Sequence, residues 1–177
     1  VLAILFCSSA EAALPVAVYE LRASATAGNV NGGGFNSARG GTDYTLQDAA
    51  QATNTDGTST ASTTFTSAGA TFTDAMKGNY IHLTASTGLT VGWYEIVSVT
   101  DTNNVELDRT PGTGTATTYY VGGAASLAST LDDDLFDILI AGNVMNVKGA
   151  SYTLGEAVSA ANAGGASSPI VIRGYTP

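Results

Sequence analysis

Few residues in this chain belong to the types that make or break bonds at neutral pH. Histidine occurs once, as His82, and cysteine once, as Cys7. His82 lies between Ile81 and Leu83 in the alternation of a strand, which makes it a packed or solvent-facing imidazole, not a general base. A single thiol excludes a disulfide within one chain. No Ser-His-Asp set, Cys-His pair or framed pair of carboxylates is visible. Gly32-Gly33-Gly34 has the composition of a phosphate cradle but lacks the Lys-Ser/Thr pair and the following helix. Asp132-Asp133-Asp134 supplies oxygens for a calcium ion, yet neighbours on a helix point about 100° apart and do not converge on one ion. Trp93, Tyr94, Tyr119 and Tyr120 are a candidate sugar-stacking platform, although cross-strand packing is the more economical use of them. No catalytic residue, metal ligand, cofactor-binding residue or cofactor is therefore expected, and the chain is not expected to be an enzyme.

The elements that hold these residues are β in character. Charged residues make up 12% of the 177, and glycine contributes 21. Thr, Ser and Ala take the place of surface Lys and Glu, a composition that suits stacked β-structure in an external environment. The net charge of −9 comes with only six basic residues, placed singly. Nucleic-acid binding needs clustered cations to displace counterions, so that class is excluded. No apolar run is long enough to span a bilayer as a helix, and no integral membrane segment is expected.

Four stretches follow in order. Residues 1–13 open with the apolar Val1, Leu2, Ile4, Leu5 and Phe6, then Cys7-Ser8-Ser9 and the small-x-small Ala10-Glu11-Ala12. This order has two readings: a signal-peptide remnant, or an apolar arm that buries itself on a neighbouring subunit. Residues 14–64 hold an alternating strand after Pro15, a Gly/Asn-rich loop around Phe35, and a short helix over Thr42–Gln51, where Asp43 or Thr42 caps and Leu46, Ala49 and Ala50 face one way. Phe35 is expected to pack on a partner. Ala52 to Ala61 is polar and without periodicity. Residues 65–124 form a small antiparallel module, with a hairpin from Tyr94–Val99 to Val105–Leu107 across Asp101-Thr102-Asn103-Asn104. Residues 125–177 begin with an amphipathic helix over Leu127–Ala141, with Leu131, Leu135, Ile138 and Leu139 on one face, and continue as short Gly-bounded strands.

That last stretch carries two motifs. Gly149-Ala150-Ser151-Tyr152-Thr153 reads as a corner, and Pro169-Ile170-Val171-Ile172-Arg173-Gly174-Tyr175 as a strand. With the helix before them they resemble the entry to a right-handed parallel β-helix of the pectin-lyase-like family. Val147 and Ile172 stand 25 residues apart, within the roughly 20–30 of one solenoid turn. The stretches around Val18–Arg22, Gly34-Phe35-Asn36 and Gly41–Tyr44 are similar to N-terminal regions of β-helical proteins of tailed phages. The resemblance implies a mainly β fold: a small antiparallel β-module followed by a helix-capped first rung of a parallel β-helix. One or two rungs do not bury their own faces, so either further rungs or another subunit would cover the open end after Tyr175.

The function expected from this is structural. The chain would be a self-assembling part of a virion fibre, spike or capsid decoration, anchored through its N-terminal arm, at the virion surface or outside the cell. Its partners would be copies of itself, as in the trimers the resemblance implies, other structural subunits, and surface polysaccharide. Val1, Leu2, Ile4, Leu5, Phe6, Phe35, Ile170 and Ile172 are the candidate assembly contacts. The alternatives are a secreted bacterial surface or filament protein, and the N-terminal part of a carbohydrate-binding or polysaccharide-degrading β-helix protein.

Overall fold

The computed structural model describes residues 17–25, 30–126, 136–152 and 161–176. Ten strands lie in them, numbered here in chain order: β1 (Val18–Leu21), β2 (Gly34–Phe35), β3 (Ala52–Thr60), β4 (Thr64–Thr66), β5 (Tyr80–Leu89), β6 (Gly92–Asp101), β7 (Asn104–Leu107), β8 (Gly112–Val121), β9 (Val144–Lys148) and β10 (Val171–Tyr175). Six of them close into a barrel in the order β3-β4-β7-β6-β5-β8, and the other four form a sheet in the order β10-β9-β1-β2. Every pair in the barrel is antiparallel.

Alternation builds the barrel. Along β5 and β6, Ile81, Leu83, Tyr94 and Ile96 point inward, where they meet Phe65, Val105, Leu107, Tyr119 and Val121. The rings of Phe65 and Tyr119 meet edge to face, 5.2 Å between centroids, the arrangement that aromatic quadrupoles favour. The β6–β7 hairpin pairs Val99 with Val105. Strand β3 occupies the stretch that has no hydrophobic periodicity. Its buried positions are Gly57 and Ser59, and at Gly57 a ring of the core fills the space a side chain would take. A Cβ on Gly57 would stand 2.2 Å from the tip of Phe65.

The solenoid expected from residue 125 onward is not what forms. Strands β1, β9 and β10 are indeed parallel, but they belong to a four-stranded mixed sheet with antiparallel β2 at its edge, beside a closed antiparallel barrel. The fold is neither a pectin-lyase-like β-helix nor a helix-capped one. The 25-residue repeat is not the pairing register either: Val144 faces Val171, so Val147 lies opposite Gly174 and Ile172 opposite Met145. The sheet's own third strand, β1, precedes the barrel in sequence, with Val18 opposite Val144. The barrel is thus inserted between two strands that pair directly.

Two helices were expected as well. The one over Leu127–Ala141 falls largely on residues outside the described set, 127–135. The one over Thr42–Gln51 is replaced by turns. There Asp43 accepts hydrogen bonds from the backbone N–H (2.8 Å) and hydroxyl (2.6 Å) of Thr45, a local side-chain alternative to helix. The carbonyls of Tyr44 and Gln47 accept from Gly123 and Ala124, so the segment is tied to the chain leaving the barrel. Among the described residues, no helix is long and apolar enough to cross a membrane.

The contact between Gly57 and Phe65 generates a test. Gly57→Ala is expected to destabilise the fold by about 1–3 kcal/mol through overpacking. Adding Phe65→Leu should recover part of that loss, against the additive sum, in urea unfolding of the four members of the double-mutant cycle.

Candidate functional site

The outward residues of β5 and β6 alternate with the barrel core and form a second set. The register pairs Tyr80 with Glu95 and His82 with Trp93, which places all four on the wall that faces the mixed sheet. From that sheet Tyr19 meets Tyr80 with ring centroids 5.4 Å apart. Tyr19 and Leu21 join Met145, Leu139 and Ala125 in the second core. Gly34 passes beneath these rings, and a Cβ there would stand 2.7 Å from Tyr19.

Polar groups on this wall are paired closely. Glu95 is 1% exposed and accepts from Asn36 Nδ2 at 3.1 Å and Arg39 Nε at 2.5 Å. The backbone N–H of Glu95 donates to Asp108, whose other oxygen accepts from Arg109. Arg109 also donates to the Trp93 carbonyl and lies 4.3 Å from the centre of the Tyr94 ring, a cation–π contact. The His82 and Trp93 rings stack at 3.8 Å, 13° from parallel. His82 Nδ1 is 3.0 Å from the Val30 carbonyl and Trp93 Nε1 donates to the Asn31 carbonyl at 3.2 Å. A carbonyl only accepts, so Nδ1 carries the imidazole hydrogen.

Between this wall and the 136–140 segment runs a groove. One hollow of about 440 Å³ is lined by His82, Trp93, Arg109, Asp137 and Ile138. It continues past Tyr80 and Asp108 into another of about 430 Å³ beside Arg39 and Glu95. Its chemistry is that of a junction. Burial pushes the Tyr80 hydroxyl up to about 12 and raises that of Tyr19 well above its usual value, so both stay neutral and serve as hydrogen-bonding groups, not as bases. The carboxylates and guanidinium groups hold each other and the loops that cross the wall.

A second polar constellation closes one end of the barrel. Tyr119 donates to Ser67 Oγ at 2.9 Å, and Ser67 in turn donates to Asp56. The Gly69 N–H donates to the same carboxylate at 2.7 Å. The Ser67 hydroxyl and then the Gly69 amide hold the Asp56 carboxyl below its usual range. Ser67 is fully buried and faces a carboxylate and a phenol with no imidazole in these bonds, which makes it a structural link and not an activated nucleophile.

The third lies on the sheet. Glu20, 2% exposed, accepts from Arg22 at 3.0 Å and from the Tyr175 hydroxyl. Arg173 Nε donates to Asn146 at 2.7 Å. With Leu46 these residues line a hollow of about 430 Å³.

Residues singled out from sequence fall as follows. Val1, Leu2, Ile4, Leu5 and Phe6 lie outside the described residues, as do Asp132, Asp133 and Asp134. Phe35 is buried within this chain, opposite Val18 and bridged to Asn79, so its partner is internal. Ile170 packs against the second core, whereas Ile172 is exposed. The aromatic four are not one platform: Tyr94 and Tyr119 fill the barrel core, while Trp93 and Tyr120 take the alternate, outward positions, each opposite His82. Glu95 and Arg39 were not singled out. The alternation Trp93-Tyr94-Glu95-Ile96 already placed Glu95 beside Trp93, but its partner lies 56 residues away. Searches against protein-family models, curated proteins and solved structures return no match.

Two substitutions test these assignments. Arg39→Met removes a charged donor from a buried carboxylate, with an expected cost of about 1–3 kcal/mol in chemical unfolding. Asp56→Asn probes the depressed carboxyl. Its contribution is present above the unfolded value of about 3.9 and is lost as pH falls through the lower folded value. The stability gap between wild type and Asp56→Asn should therefore be widest near neutrality and close below about pH 4.

Proposed function

We propose that this chain is a structural, self-associating subunit of an extracellular or virion-surface assembly, and that it works by contact, not by catalysis. The observation that carries this reading is the open edge of the mixed sheet. Among the described residues, strand β10 pairs with β9 on one side only, and its Val171 and Ile172 are 37% and 53% exposed. An unpaired strand edge with apolar side chains is a template for pairing with another chain, and soluble proteins normally blunt such edges. Further support comes from the groove, where the titratable side chains are engaged in holding loops to the barrel wall.

Sedimentation velocity across a concentration series tests the proposal. Reversible association is expected, and a single monomeric species at every concentration would overturn it. Ile172→Asp, which places a negative charge on the exposed edge, should raise the dissociation constant at least about tenfold while leaving the thermal midpoint close to that of the wild type.

A further inference from the structure

Six lysine and arginine side chains serve a chain of net charge −9, and four of them are paired. Arg22 is held by Glu20 and Asp48, Arg39 by Glu95, Lys77 by Asp74, and Arg109 by Asp108. The remaining two, Lys148 and Arg173, have no carboxylate partner among the described residues. They sit on adjacent strands. Arg173 of β10 lies opposite Asn146, and Lys148 of β9 lies opposite Tyr175. Met145 points into the second core, so by alternation Asn146 and Lys148 point to the other face of the sheet. Arg173 and Tyr175 share that face because they sit in the same rows. Asn146 Oδ1 accepts from Arg173 Nε and fixes the side chain, and the two Nη groups, the fork that grips a carboxylate, have no protein partner among the described residues.

We propose that Lys148 and Arg173 are the anion-recognition part of the open edge, and that their occupant is a carboxylate-bearing surface of a second copy of this chain. The inference rests on the self-association reading and adds to it the surface and the charge pattern. A second copy has the complementary sign, with fifteen acidic against six basic residues. The contact is head to tail. The edge has two cations without a carboxylate partner among the described residues, whereas the barrel carries exposed carboxylates such as Asp101. Two identical edges placed face to face would oppose Lys148 and Arg173 to themselves. A head-to-tail contact avoids that repulsion and, when repeated, gives rings or filaments instead of a closed dimer. Val171, on the same face of the strand as Arg173, supplies apolar area, and the charges set orientation and rate of encounter.

The test uses the full chain in sedimentation velocity at about 50 mM and about 500 mM NaCl, since charge-steered contacts weaken as the screening length shortens. Wild-type association should fall at least about tenfold at the higher salt. The pair Lys148→Glu with Arg173→Glu should abolish association at low salt, and Lys148→Gln with Arg173→Gln should weaken it while leaving the fold in place. Lys148→Arg should associate like the wild type. Association that is unaffected by salt and by both double variants overturns this inference and leaves self-association standing. A wild type that is monomeric throughout overturns both. A monomer that binds alginate, with binding lost in the double variants, assigns the cations to an acidic polysaccharide and overturns the second-copy occupant.

Discussion

The wall made by β5 and β6 has a core on each side, and the buried carboxylate of Glu95 is the constraint this creates. A strand that faces two cores has few places for charge, yet the residue opposite Tyr80 is a glutamate. Its burial is tolerated because Asn36 and Arg39 donate to it, and an unpaired carboxylate in that position would be costly. Those two donors come from the loop after β2, so satisfying Glu95 also holds that loop, and with it the edge of the mixed sheet, against the barrel. Asp108 and Arg109 extend the same pairing around the hairpin end.

The mixed sheet answers a different requirement. Its parallel strands come from before and after the barrel, so the pairing of β1 with β9 is what makes the barrel an insertion and not a neighbour on a string. Such contacts between residues far apart in sequence are formed only after a large loop closes. The barrel combines local hairpins with long-range pairs such as Ala52 with Val121 and Phe65 with Val105. The β5–β6 and β6–β7 pairs are joined by turns of two residues. The proposed self-association rests on the uneven way these two parts end. The barrel closes on itself, while among the described residues the sheet leaves β10 with one partner strand, and Lys148 and Arg173 without a carboxylate partner.

Much of the local β-structure was legible. Alternation around Tyr94–Val99 and the Asn-containing turn before Val105 mark a hairpin, and Val144–Lys148 and Val171–Tyr175 are strands bounded by Gly, Asn and Pro. Strand β3 was not legible, because its buried positions are the small polar Ser59 and Gly57, where the Phe65 ring fills the space of a side chain. The helix at Thr42–Gln51 was a false signal. Asp43 has the composition of a cap, but its carboxylate closes a turn with Thr45, and the following carbonyls pair with Gly123 and Ala124. The Glu95–Arg39 pair was half legible: alternation indicates the face, and nothing local indicates the partner.

By itself the sequence determined a β-rich chain with a single imidazole, one thiol and an acidic surface, because composition and period-2 patterning are local properties. It also marked the short strands from which a solenoid was expected. Only the tertiary structure decided that these strands join one from the far side of an inserted barrel. A register of 25 or 27 residues is equally compatible with the spacing of Gly and Ile, and parallel pairing itself leaves no local mark. Closure of six strands into a barrel depends on which edges meet, and so does the placing of Lys148 and Arg173 on adjacent strands. Both are consequences of long-range pairing that no window of sequence contains.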